Sequence, residues 1–79
     1  MKTCAAFVAD IQCKLPCAKL LLQKKSGPLF DWQLCTLTAT SMADPSKTFT
    51  MTFEDGLGGD PLDYVAKSFV GKALHVLNG

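Results

Sequence analysis

The chain contains no arginine. That absence weighs against phosphate recognition, for which the planar guanidinium fork is the preferred group. It also lacks a long apolar run. The apolar stretch near the start, Cys4 to Ala9, ends at Asp10 after six residues. Six residues are too few to cross a membrane or to form the core of a secretory signal. The expectation is a cytosolic protein. There is one histidine, and no nucleophile or acid is designated beside it, so no catalytic constellation can be assembled. The loop Gly56-Leu57-Gly58-Gly59 lacks the Lys-Ser/Thr of a P-loop and the full G-x-G-x-x-G spacing. The alternating oxygen ligands of a calcium loop are absent as well. No enzyme, no cofactor and no metal are expected.

What is present is the material of one small folded domain spanning residues 1–79. Hydrophobic residues make up 48% and charged residues 19% of the chain, a balance that suits a core and not a disordered tail. A domain of this size buries only about 60% of the surface its unfolded chain exposes, so the core must be used fully. The net charge of +1 decides nothing about nucleic acid, but its distribution is uneven. Residues 1–30 carry five lysines and one acid, whereas residues 31–66 carry one lysine and six acids.

Cys4, Phe7, Val8, Ile11 and Leu15 fall on one helical stripe, with Thr3 as N-cap and Pro16 as stop. A helix over Thr3 to Leu15 is expected. Ala18 to Lys25 reads as a strand, followed by the turn cluster Ser26-Gly27-Pro28. A second strand runs from about Phe30 to Ser41, with Asp44-Pro45-Ser46 as the next turn. Thr48 to Glu54 alternates strictly, Phe49, Met51 and Phe53 on one face and threonines on the other. A last helix is expected from Pro61 to Leu77, with Asp60 as N-cap and Asp63 in its first turn. Leu62, Val65, Ala66, Phe69, Ala73, Val76 and Leu77 form its apolar face, and Asn78-Gly79 its stop. The order α-β-β-β-α, with short connections, gives an α+β fold: a three-stranded antiparallel meander covered on one face by two helices. Either outer strand could pair with a second copy of the chain, so a homo-oligomer through an edge strand is one expectation.

Four cysteines fall as Cys4-x8-Cys13-x3-Cys17-x17-Cys35. Only Cys13 and Cys17 have the spacing of a zinc pair, so buried or half-buried reduced thiols are the simplest reading. A small structural zinc module is an alternative. His75 shares a face with Tyr64, Ser68 and Lys72, away from the core stripe, and reads as a solvated histidine near a helix C-terminus. Glu54, Asp55, Asp60 and Asp63 crowd together without a balancing lysine. Part of this set serves as helix cap and turn, and the whole is an acidic patch suited to a basic partner.

The second strand carries an inconsistency. If Cys35, Leu37 and Ala39 face inward, the same register turns Leu34, Trp32 and Phe30 outward. A bulge near Leu34-Cys35, or a shifted strand start, would restore the aromatic residues to the core, which a marginal domain needs. Otherwise Phe30, Trp32 and Leu34 form an exposed apolar patch of the kind that marks an interaction site.

The element order resembles that of double-stranded-RNA-binding domains. Ser26-Gly27-Pro28 after the first strand, and Ala66, Ala73-Leu74 and Leu77 in the last helix, extend the likeness. The resemblance implies a duplex-RNA partner gripped by lysines at the start of the last helix. Here those positions read Asp60-Pro61-Leu62-Asp63-Tyr64-Val65-Ala66-Lys67, and acids there would repel a duplex. In kind, and not in motif, the chain is similar to small phage-encoded inhibitors such as anti-CRISPR proteins. That likeness implies a protein partner, such as a basic nucleic-acid-binding surface of a host complex. The expected function is therefore a non-enzymatic binding or inhibitory module. Its contact residues would be Glu54, Asp55 and Asp63 as acids, Phe30 and Trp32 as anchors, and Tyr64 on the exposed helix face.

Overall fold

A computed structural model describes residues 4–26, 33–55 and 59–78, with side chains over 5–23, 34–54 and 62–78. The elements are α1 (Cys4–Lys14), β1 (Ala18–Ser26), β2 (Gln33–Ser41), β3 (Thr48–Asp55) and α2 (Gly59–Asn78). The strands form one antiparallel sheet in the order β1-β2-β3, so the α+β architecture is the one expected from the sequence. Among the described residues no helix is long and apolar enough to cross a membrane.

Both helices pack on the same face of the sheet. The stripe of α1 places Phe7 and Ile11 in the core, with Leu15 just beyond its end. From α2 come Leu62, Ala66, Phe69 and Ala73. Cys35, Leu37 and Ala39, each fully buried, supply the central strand's share. Ring contacts tie the layers together. Phe7 of α1 meets Phe53 of β3 at 4.9 Å between centroids, and Phe49 of β3 meets Phe69 of α2 at 5.3 Å. Both pairs are tilted, an arrangement favoured by the ring quadrupoles.

Several details differ from expectation. α2 starts at Gly59, ahead of Pro61, so Asp60 belongs to the first turn and not to the cap. Proline is tolerated there because first-turn amides have no intrahelical partner. Val76 is exposed, while Val70 packs against the core. Cys13 and Cys17 are exposed and not buried: Cys13 lies on the solvent side of α1, and Cys17 in the turn that follows. Cys35 is buried as expected.

The expected bulge near Leu34-Cys35 is absent. Every residue of β2 from Gln33 to Ser41 pairs in unbroken register with β1, and Gln33 to Thr40 do the same with β3. Leu34 therefore keeps the outward parity and is 44% exposed. The strand begins at Gln33; Phe30 and Trp32 lie outside the described residues.

The junctions are secured by specific bonds. The Gln12 side chain donates to the carbonyls of Leu15 and Ala18 at 3.1 and 2.9 Å, clamping the turn between α1 and β1. The amide of Met42 donates to the carbonyl of Cys17 at 3.0 Å, extending the join between β1 and β2. In the β2–β3 turn, Asp44 accepts from the Ser46 hydroxyl at 2.6 Å and the Ser46 amide at 3.2 Å. Ser41 Oγ accepts from the Asp44 amide at 3.1 Å, satisfying a side chain that the turn buries.

Candidate functional site

Because both helices lie on one face, the other face of the sheet has no layer over it among the described residues. Its composition follows from the register. Lys19, Thr40 and Thr48 stand in one row; Leu21, Thr38 and Thr50 in the next; Gln23, Thr36 and Thr52 in a third. Lys25, Leu34 and Glu54 form the fourth row, at the end where β2 begins and β3 ends. Two rows are cross-linked by hydroxyls, Thr38 to Thr50 at 3.1 Å and Thr36 to Thr52 at 3.5 Å. Such cross-strand threonine pairs stabilise a sheet. Threonine satisfies two demands here. Its branched β-carbon suits a strand, and its hydroxyl suits water.

Two leucines interrupt this hydroxyl surface: Leu21 is 55% and Leu34 is 44% exposed. Leu34 stands directly across from Glu54, which is also exposed. The fourth row thus joins an apolar side chain to an acid. Asp55 closes β3 opposite Gln33. Of the expected contact residues, Glu54 lies on this face, across from Leu34 of the alternative apolar patch; Asp55 is next along β3 and has the opposite parity. Asp63 and Tyr64 are carried by α2, the layer on the other side of the sheet; both are exposed, Tyr64 at 75%. They form part of a different surface. His75 is exposed in the last turn of α2, on the solvated side that its spacing indicated.

Among the described residues, Asp44 has a perturbed acidity. The Ser46 hydroxyl, then the Ser46 amide, and more weakly the charge of Lys47, hold Asp44 below the ordinary value of 3.8. These groups stabilise the charged form of a turn residue, and the cause is local.

A depression of about 130 Å³ opens at the opposite end of the molecule from Leu34 and Glu54. Leu15, Pro16, Cys17, Leu74 and Leu77 line it, with Lys14, Ala18, Ser41 and Asn78. Sequence reasoning did not anticipate it, because its walls come from the ends of four elements. Among the described residues, no group of three or more histidine, cysteine or acidic side chains is placed to hold a metal ion.

Comparison with protein-family models, with curated proteins and with solved structures gives no match.

Proposed function

We propose that the chain is a small non-enzymatic protein-binding module that works through the uncovered face of its sheet. Leu34 and Glu54 are the centre of the contact in this reading, with Asp55 next in sequence at the strand end and Phe30 and Trp32 as the neighbouring anchors in sequence. The partner is a basic protein surface, and inhibition by occupying the nucleic-acid-binding surface of a larger host complex is the form it takes. A cytoplasmic setting belongs to the same proposal, since exposed thiols such as Cys13 and Cys17 persist best in a reducing compartment.

The observation that carries the reading is the exposed Leu34 across from Glu54 on a sheet face that no described element covers. A half-exposed leucine in an unbroken register adds nothing to the core, whereas an apolar group beside an acid suits a partner with a basic rim. The test is capture from the native host with the wild type, Leu34→Asp and Glu54→Lys. Each substitution should weaken capture of the same protein by about tenfold or more, as expected for a central contact. Equal capture by all three ends the proposal.

The RNA-binding reading has one observation in its favour, the α-β-β-β-α order with both helices on one face. The exposed Asp63 in the first half of α2 stands against it. Retention of a duplex of about 16 base pairs, weakening steeply with salt, would transfer the assignment to RNA.

A further inference from the structure

The two edges of the sheet are not alike. β1 carries Lys19, Lys24 and Lys25 along its length, and lysines on an edge discourage pairing with another chain. β3 has no such guard. From Thr48 to Phe53 it contains no charge and no proline, and its register with β2 is unbroken by a bulge. Its outer edge is a row of backbone donors and acceptors with no neighbouring strand among the described residues, where β3 pairs with β2 alone. The core is also less closed there. Phe49 and Met51 are only partly buried, whereas Ala39 and Leu37, their partners on β2, are fully buried.

The charges at the ends of β3 indicate what pairs with it. Lys47 precedes the strand, and Glu54 and Asp55 end it. A strand that is positive at its start and negative at its end is complementary to itself when antiparallel. We propose that β3 pairs with β3 of a second copy, about a two-fold axis at Met51, to give one continuous six-stranded sheet. In this register Phe49 lies opposite Phe53 of the second copy, and Thr50 opposite Thr52. Lys47 falls opposite Asp55, twice by symmetry. Inward residues meet inward residues, so both cores gain cover along the seam, and the threonine face continues across it. A two-fold contact of this kind uses the same patch on both chains and closes as a dimer. Pairing of β3 with β1 of another copy would leave edges free at both ends. In the antiparallel sense it would also set Lys47 near Lys24 and Lys25.

The test is the mass of the full chain by sedimentation over a wide concentration range. Three proteins are compared: the wild type, Lys47→Glu, and the double variant Lys47→Glu with Asp55→Lys. Circular dichroism confirms that each is folded. The wild type should pass from monomer to dimer, and Lys47→Glu should weaken the dimer by roughly tenfold, since like charges then face each other at two places. The double variant should recover it. Amide exchange should slow with concentration in Thr48–Asp55 and not in Ala18–Ser26. The proposal falls if the protein stays monomeric up to about 1 mM, a weak limit for association. It also falls if the charge exchange has no effect, or if assemblies grow beyond two chains. A monomer that captures a host protein through Leu34 would leave the proposed function standing without this dimer.

Discussion

Gln12 and Ala18 are joined by a 2.9 Å hydrogen bond that spans the turn between the first helix and the first strand. The same side-chain nitrogen also reaches the carbonyl of Leu15. The Leu15 carbonyl accepts from the Ala18 amide as well, at 3.1 Å, so the side chain reinforces a turn that the backbone also closes. Gln12→Ala should lower stability by about 0.5–1.5 kcal/mol, the net worth of a hydrogen bond. Gln12→Glu should do no better, because a carboxylate cannot donate. Urea unfolding measures both, and an unchanged midpoint would show that water replaces the amide without loss.

Phe69 is fully buried and packs on Phe49. Phe69→Ala should cost about 3–5 kcal/mol by transfer and cavity formation. Small domains have only about 5–15 kcal/mol in total, so a large unfolded fraction is expected near body temperature. Thermal melts followed by circular dichroism will show whether the midpoint drops accordingly.

Leu34 and Leu37 lie three residues apart on β2 and face opposite ways. Leu37→Ala should cost about 2–5 kcal/mol. Leu34→Ala should stay within about 0.5 kcal/mol of the wild type, as surface changes do. Comparable losses at both positions would mean that Leu34 is covered in the folded protein.

Asp44 contributes to stability through its charge. Its acidity is held below the ordinary 3.8 by Ser46 first and Lys47 last. A lowered folded value means that the contribution is present above the unfolded value and disappears as pH falls through the folded one. Asp44→Asn should therefore be less stable than the wild type at neutral pH, and the two should converge in strong acid. Melting curves of the pair across pH provide the check, with a carboxyl NMR titration to locate the folded value. A difference that persists unchanged in acid would assign the effect to shape and not to charge.

The thiols should divide by exposure. In a Cys4→Ser background, Cys13 and Cys17 should react at once with a thiol reagent, while Cys35, fully buried, should react only as the chain unfolds. Mass spectrometry of the labelled peptides distinguishes them. Prompt labelling of Cys35 would contradict its place in the core.

Much of this architecture could be read from spacing alone. Phe49, Met51 and Phe53 alternate with threonine, and a period of two leaves little choice of face. Leu62, Ala66, Phe69 and Ala73 repeat at helical intervals and all lie in the core. Spacing was less informative where two neighbours compete for the margin of a stripe. Val70 is taken into the core and Val76 is left out, a choice made by where α2 meets the sheet. Cys13 and Cys17 resemble small apolar residues in composition, yet their exposure depends on which side of α1 the sheet occupies. Leu34 is the instructive position for the candidate site. Its outward parity was legible, but the need of a small domain for apolar cover argued for a bulge that the strand does not form. The depression beside Cys17 joins the ends of elements far apart in sequence, and no local pattern encodes such a meeting.

The strand order repeats the sequence order, so each strand pairs with the one made next to it. The sheet can close hairpin by hairpin, with modest loop entropy at each step. The helices are different. α1 begins at Cys4 and α2 ends at Asn78, yet they touch in the folded chain. The end of α2 lies by the end of α1, where Leu74, Leu77 and Asn78 share one depression with Lys14 and Leu15, and the contacts between the two helices have the greatest sequence separation in the described fold. Contact for contact, this helix pair adds more to the relative contact order than the sheet does, and a higher contact order slows folding. A circular permutant opened at the Asp44 turn would need a linker that runs back along α1, about 16 Å, because Asn78 lies by Lys14 and not by Cys4. It would bring the helices close in sequence and should fold by a different order of events.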